Sequence, residues 1–339
     1  MGMDNLTIFS LNTRGLRDGK KRRELFRWLK RYYNSNEAFV FLQETHSNSN
    51  DEVTWKTEWG ANIAFSHGTN NSKGVAILFP KHFDIEKITK TENDAEGRIC
   101  LVNLETEEGN ISLINVYAPT KSKHNSQLDF LSKLQIILCQ NEDNPIICAG
   151  DFNTYLDPQL DKDGGKLEEM SEYSSKLQLT LESLEMCDVW RTYNPSARRY
   201  SWRQNNPIIQ SRLDYFFISL CLMNDVKECE IKPSIKTDHS LLYLKITNKK
   251  KNTRGPGFWK FNSSLLKDEN YINKIKDLIT KMKAENNEME NKALKWDYIK
   301  SEIRKLTITY SKAKSRVNKA TENILKINYN KAAHEFAIN

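Results

Sequence analysis

Within the first 248 residues, short apolar runs of strand length alternate with a few amphipathic segments, and this pattern limits the fold more than any other feature. The runs fall at 7–11, 39–42, 75–79, 99–104, 111–117, 145–149, 213–218 and 241–246. Between them, 21–32 places Leu25, Trp28 and Leu29 on one helical face. Segment 126–138 gathers Leu128, Leu131, Leu134 and Leu138, and 168–186 gathers Leu177, Leu181 and Leu184. Polar, glycine-bearing loops mark 68–74 and 161–165. Many strands with few helices predict an α/β fold of two packed sheets with helices outside.

The pattern changes after Ile246. Lys249-Lys250-Lys251 and Arg254-Gly255-Pro256-Gly257 make a basic linker over 249–262. Beyond it, 263–339 reads as a helical, basic extension with one apolar stripe at Ile272, Ile275, Leu278 and Ile279 and another at Trp296, Ile299, Ile303 and Leu306. These helices are too sparse for a core of their own and are expected to dock on the body, 1–248, or on sequence outside this chain. The net charge of +7 divides into −4 for 1–248 and +11 for 249–339. An acidic body suits a metal-binding carboxylate cluster, and a basic tail suits nucleic acid.

Length allows one core of roughly 250 residues with a smaller appendage. No apolar run approaches the roughly 18 residues of a membrane span, and the first residues lack a secretory leader pattern. Six single cysteines (Cys100, Cys139, Cys148, Cys187, Cys221, Cys229) with no CxxC pair read as buried reduced thiols of an intracellular protein.

Chemistry-bearing residues recur at strand ends. Asn12 closes the first run, Glu44 follows the second, and Tyr117 sits in Asn115-Val116-Tyr117-Ala118-Pro119. Asp151 and Asn153 lie in Gly150-Asp151-Phe152-Asn153, and Asp238 and His239 in Thr237-Asp238-His239-Ser240. Strand ends share one rim of a sheet. A hard cation such as Mg2+ takes oxygen ligands and keeps several waters, so Glu44 supported by Asn12 could hold one. His239 needs a group to fix its tautomer, and Asp214 is the candidate. Asp151 could position water or protonate a leaving oxygen, and Asn153 and Tyr117 offer neutral hydrogen bonds to phosphate. Taken singly, each of these is also an ordinary turn, cap or core residue.

As an ordered set, these residues resemble the endonuclease/exonuclease/phosphatase superfamily, which includes DNase I, apurinic endonucleases, sphingomyelinases and inositol-polyphosphate phosphatases. The likeness covers about residues 5–248. It implies a DNase I-like four-layer α/β/β/α sandwich and Mg2+- or Mn2+-assisted phosphodiester hydrolysis. Ser10-Leu11-Asn12-Thr13-Arg14-Gly15-Leu16, Leu42-Gln43-Glu44-Thr45-His46 and Gly74-Val75-Ala76-Ile77-Leu78 narrow it further. They look like the N-terminal endonuclease of LINE-1/Tx1-like non-LTR retrotransposon second open reading frame proteins. Gly257-Phe258-Trp259-Lys260-Phe261-Asn262 resembles the start of their linker toward reverse transcriptase.

The resemblance implies that Asn12 and Glu44 serve the metal, with Asp238 a further metal or structural carboxylate. Tyr117, Asp151 and Asn153 would handle the scissile phosphate and the leaving 3′ oxygen. Ser201 would place a hydroxyl near phosphate, and Asp214 would orient His239, acting as base or as transition-state stabiliser. Arg14 stands where apurinic endonucleases carry an acid, and no Tyr/Phe-Ala-Asp-Asp polymerase motif occurs, so a reverse transcriptase is expected outside this chain. The implied activity is nicking of double-stranded DNA to prime reverse transcription, in the nucleus after cytoplasmic synthesis and without membrane contact. Element RNA is a further expected partner of the tail.

DNA contacts are expected from Arg14, Arg17, Lys20, Lys21, Arg22 and Arg23, from Arg198, Arg199 and Arg203 around Tyr200-Ser201-Trp202, and from Arg212. The competing readings are a repair apurinic endonuclease or a phosphatase of the same fold, or a non-catalytic nucleic-acid-binding module. The last has no need of an acidic cluster, which repels phosphate unless a metal offsets it.

Overall fold

The computed structural model describes residues 5–107, 109–121, 124–166, 169–247, 261–285, 292–293, 295–311, 313–315 and 318. Linker residues 249–260 and the tail beyond 318 lie outside them. The chain divides into two compact units, Met1–Lys251 and Asn252–Asn339.

In the first unit, β1 (Asn5–Asn12), α1 (Gly19–Tyr33), β2 (Phe39–Gln43), α2 (Glu52–Trp59), β3 (Ile63–Ser66) and β4 (Val75–Leu78) come first. Then follow β5 (Ile88–Asn93), β6 (Ile99–Thr106), β7 (Gly109–Tyr117), α3 (His124–Gln140), β8 (Ile146–Asp151), β9 (Lys162–Asp163) and α4 (Glu172–Ser183). The unit closes with β10 (Met186–Asp188), α5 (Val189–Tyr193), β11 (Trp202–Asn205), β12 (Ile208–Ser211), β13 (Asp214–Ser219), β14 (Val226–Lys232) and β15 (Leu241–Thr247). Each apolar run read from the sequence is one of these strands.

Two six-stranded mixed sheets result, ordered β14-β15-β1-β2-β4-β3 and β10-β13-β8-β7-β6-β5, with a small third sheet β11-β12-β9. Alternation along the strands builds the layers. Ile8, Phe39, Phe41 and Ile77 of the first sheet meet Val102, Leu113, Ile147 and Phe216 of the second in the central core. Their neighbours Phe9, Val40 and Leu42 point outward, onto Leu25, Phe26, Trp55 and Trp59 of α1 and α2. On the other side Leu101, Ile114 and Phe217 pack on Leu134, Leu138, Leu177 and Leu181 of α3 and α4. Helix, sheet, sheet and helix are therefore the four layers.

Asp18 caps α1 by accepting from the Lys21 backbone N–H, and Ser171 caps α4 through Ser174. The helix expected over 168–186 ends at Ser183, because Glu185 adopts φ 51° and Met186 opens β10. Cys100 and Cys148 are buried free thiols, but Cys139 and Cys221 are exposed, against expectation. Cys139 lies on the outer face of α3, next to inward Leu138.

In the second unit, α6 (Glu269–Glu285) packs on helical residues 295–311. The Tyr271 hydroxyl lies 2.7 Å from the Thr307 hydroxyl, and Tyr310 and Lys314 donate to Asp268 at 2.9 and 2.6 Å. Among the described residues of this unit, Leu265, Tyr271, Met282, Ile299 and Thr307 are buried, and the expected stripe Ile272, Ile275, Leu278 and Ile279 is half-buried on the same face of α6 as Tyr271 and Met282, while Trp296 is exposed. Among the described residues, no helix is long and apolar enough to cross a membrane.

Candidate active site

Parallel pairing of β1 with β2 and of β7 with β8 brings four strand ends to one rim. Asn12 ends β1, Glu44 follows β2, Tyr117 ends β7 and Asp151 ends β8. Asp214 opens antiparallel β13 directly opposite Asp151. The chain turns sharply beyond these ends: Arg14, Glu44 and Asn153 adopt φ 49°, 50° and 49°. Such left-handed backbone is uncommon for residues other than glycine and concentrates at functional sites. Gly150 adopts φ 143°, and a Cβ there would lie 1.9 Å from the Val116 carbonyl oxygen, so only glycine lets β8 deliver Asp151 beside β7.

Asn12 organises two carboxylates. Its Nδ2 donates to Glu44 Oε1 at 3.0 Å and to Asp151 Oδ2 at 2.8 Å, while its Oδ1 accepts the Arg14 backbone N–H. The Asn153 backbone N–H holds the other Asp151 oxygen at 2.8 Å, and Asn153 Nδ2 donates to the Ala118 carbonyl. Asp214 Oδ2 lies 2.9 Å from His239 Nδ1 and accepts the Ser201 hydroxyl at 2.6 Å. His239 Nε2 then faces Asp151 Oδ2 at 3.9 Å. All of this opens on a cleft of about 580 Å³ lined by Arg14, Glu44, Asp151, Asn153, Trp202 and His239 among others.

Burial raises the Asp151 carboxyl, the nearby Asp214 charge adds to it, and together they push it to about 7 against the pull of His239 and Asn12. Burial pulls His239 down, but the Asp214 charge and hydrogen bond outweigh it and raise the imidazole to about 9. The Tyr117 phenol is held well above its ordinary range by burial, then by the charges of Glu44 and Asp151. A cleft crowded with carboxylates calls for a cation. One set of candidate ligands, Asp151, Asp214 and His239, has its atoms within 4.8 Å of one another. His239 Nδ1 is already committed to Asp214 there, so Glu44, bonded on one oxygen by Asn12 and partly exposed, is the better anchor. Its hard oxygen donors, with Asp151 beside it, fit Mg2+ or Mn2+.

Several expected DNA contacts are placed otherwise. Arg212 is 1% exposed, gripping Asp161 through Nε and Nη2 at 2.7 and 3.0 Å and reaching Asp188 through Nη1. It is a buried structural cation. Ser201 is fully buried and accepts the Leu213 and Asp214 backbone N–H groups, so it holds Asp214 rather than phosphate. Arg22 and Arg23 are bound to Glu58, and Lys21 donates to the Thr13 and Arg14 carbonyls, so these three brace α1. Asp238 pairs with Arg14 at 3.3 Å and accepts from Trp202 Nε1 at 3.3 Å. Arg198, Arg199 and Arg203 are exposed, with Arg199 also donating to the Ile231 carbonyl.

Sequence reasoning missed the support beneath the rim. Gln43 Nε2 donates to Ser10 Oγ and Asn115 Oδ1 at 3.0 and 2.7 Å, and Asn115 Nδ2 donates to the Leu42 and Ala76 carbonyls. The available signal was a polar residue on the inward face that Phe39 and Phe41 occupy further down β2. Lys162, on the cleft wall from the small third sheet, was also missed.

The chain is 29% identical over 312 residues to the transposon TX1 uncharacterized 149 kDa protein of Xenopus laevis, covering 91% of this chain and 23% of that protein. It is 31% identical over 163 residues to exodeoxyribonuclease III of Haemophilus influenzae, covering 41% of this chain and 59% of that one. This chain therefore spans about a quarter of the first relative and under two thirds of the second. An AP endonuclease from Leishmania major has a similar structure, with TM-score 0.63, 19% identity and coverage of 73% of this chain and 89% of that one. The 3′ phosphatase NExo from Neisseria, in a structure bound to product DNA hairpin, gives TM-score 0.56 and 15% identity over 71% of this chain and 99% of that one. At such identities these two share the fold, which is the expected sandwich. The family match itself runs over residues 9–239, from inside β1 through His239, and it takes in every strand end described above: the chain belongs to the endonuclease/exonuclease/phosphatase family, a family of phosphodiester- and phosphate-cleaving hydrolases.

Proposed function

We propose that this chain is the endonuclease region of a retrotransposon-encoded protein, nicking one strand of double-stranded DNA to leave a 3′-hydroxyl that primes reverse transcription. The observation that carries the reading is the cleft in which Glu44, Asp151, Asn153 and the Asp214–His239 pair converge. Likeness to a transposon protein over 91% of the chain supports the setting. The reverse transcriptase would lie outside this chain, the basic tail would contact element RNA, and the protein would act in the nucleus.

Glu44 would hold the divalent cation, which when bound supplies Lewis-acid offset of charge on the non-bridging phosphate oxygens. His239, raised to about 9, is an imidazolium at neutral pH. It therefore serves as stabiliser rather than base: Nδ1–H stays on Asp214, and Nε2–H donates to the phosphorane-like transition state. Asp151, poised at about 7, takes the proton of the attacking water, with Asn12 and the Asn153 N–H fixing its geometry. Water attacks phosphorus in line, the P–O3′ bond breaks, and the departing 3′ oxygen takes a proton from solvent, to which Asp151 then releases the one it took. Tyr117 stays protonated and adds a neutral hydroxyl beside Glu44.

Nick chemistry tests this. Plasmid nicked in Mg2+ is offered directly to a DNA polymerase with labelled nucleotide, in parallel with intact and abasic duplexes. Direct extension and cleavage of the intact duplex support the proposal. Nicks that extend only after removal of a 3′ phosphate, or cleavage confined to the abasic duplex, would overturn it.

A further inference from the structure

A second concavity adjoins the cleft across the Asp238–His239 segment. It is a groove of about 490 Å³ between the β11 edge and the 233–240 loop, and Arg14 lines both it and the cleft. Three cations converge on it, Arg14, Arg203 and Lys236, with Asn205, Ser234 and Thr237 between them. Among the described residues, the only carboxylate in its wall is Asp238, already shared by Arg14 and Trp202 Nε1. Lys236 has Glu24 at 3.3 Å, but its side chain is 57% exposed, and such surface pairs hold weakly. Asp238 and Glu24 offset part of this charge, and the groove keeps an excess of positive charge that suits a further anion.

The groove is built rather than incidental. The Arg203 backbone N–H donates to the Asp238 carbonyl at 3.2 Å, and the Ser240 N–H donates to the Ser201 carbonyl at 2.6 Å. Trp202 pairs with His239 in an isolated bridge. Lys236 holds a left-handed φ of 60°. Arg203 is thereby sewn to the loop that carries His239, and the groove keeps a fixed place beside the catalytic cleft.

We infer that this groove is a second phosphodiester subsite, holding a DNA-backbone phosphate close to the scissile one on the same strand. The inference rests on the proposed reading of the cleft as a DNA site and adds where the neighbouring strand runs. Arg14, between the two concavities, bridges both anions. Neutral Asn205 offers an amide donor without charge, while the Ser234 hydroxyl is already donated to the His239 carbonyl and holds the loop. Phosphate contacts of this kind set register and orientation on the duplex rather than sequence preference.

The test uses the full chain, a DNA duplex and EDTA, so that binding is read without cleavage. Affinity is measured against salt for wild type, Arg203→Ala, Lys236→Ala, the double variant and Lys81→Ala, whose lysine lies past the opposite end of β4. Because both side chains would serve one phosphate, the double variant should lower the magnitude of the slope of log affinity against log salt by about 0.9 and each single variant by a part of that, with Lys81→Ala unchanged. Ethylation interference then locates the contact: a phosphate whose ethylation impairs wild-type binding, but not that of the double variant, should lie next to the nicked position. Unchanged slopes, or a lost contact remote from the nick, would overturn the subsite. Were wild type to nick nothing while the slopes still fell, the nuclease reading would fail and the anion subsite would stand.

Discussion

Arg212 was expected to touch DNA, and its burial makes the opposite prediction quantitative. Arg212→Met leaves Asp161, fully buried, and Asp188, mostly buried, without their shared partner. Removing one member of a buried ion pair costs about 3–5 kcal/mol, because the remaining charge stays desolvated. Here Arg191 also reaches Asp161 Oδ1, so that carboxylate keeps one cation and the loss falls near the low end, about 3 kcal/mol. For a unit of this size each kcal/mol moves the melting temperature by about 2–4 °C, so a fall of about 6–12 °C is expected. Thermal unfolding followed by circular dichroism reads it directly. DNA binding measured well below the transition should keep its wild-type salt dependence. A variant with near-normal stability but a reduced salt slope would refute the burial argument and restore Arg212 to the DNA surface.

Asp214→Ala and His239→Ala should each slow single-turnover nicking by about 10²–10⁴-fold while leaving duplex affinity within a few-fold; comparable loss of binding would contradict a role in the chemical step. The pH–rate profile should be bell-shaped: Asp151 must be deprotonated, so the rate rises through about 7, and His239 must be protonated, so it falls through about 9. A profile that instead rises through about 9 to a plateau, with no falling limb, would show His239 working as a base. Gly150→Ala should destabilise the chain by about 2 kcal/mol or more in urea titration, since the Val116 carbonyl cannot yield to a Cβ. Glu44→Gln should weaken Mn2+ binding, read by electron paramagnetic resonance, at least about tenfold, and undiminished binding would move the metal elsewhere.

The strands were legible because their apolar runs are long enough to be buried on both faces, as β2, β4 and β8 are along their whole lengths. What escaped was structure whose pattern is broken by exposure or irregularity. β5 is Ile-Thr-Lys-Thr-Glu-Asn on a sheet edge, and β14 carries a register shift between Val226 and Glu228 that disrupts period-two alternation. α2 is short, and its signal is only Trp55 and Trp59, four apart on one face. At the site, Asn12, Glu44, Asp151 and Asn153 could be gathered because each closes or follows a strand pattern, and His239 because it stands just before one. Arginine function could not be read in the same way: Arg22 and Arg212 look identical in sequence to Arg14 and Arg203, and only the three-dimensional placement of Glu58, Asp161 and Asp188 separates buried pairs from exposed cations. Ser201 escaped for a related reason, since its work is a hydrogen bond to Asp214 across the hairpin.

The most direct test is conversion of supercoiled plasmid to open circles by the wild-type chain, Asp151→Asn and His239→Asn, each with Mg2+ and with EDTA. Mg2+-dependent nicking by wild type alone, with both variants slowed at least about 100-fold and all three equally folded, is the predicted result. Supercoiled DNA surviving intact with wild type in Mg2+, or nicking that persists undiminished in both variants, would contradict the assignment of this cleft as a DNA-nicking site.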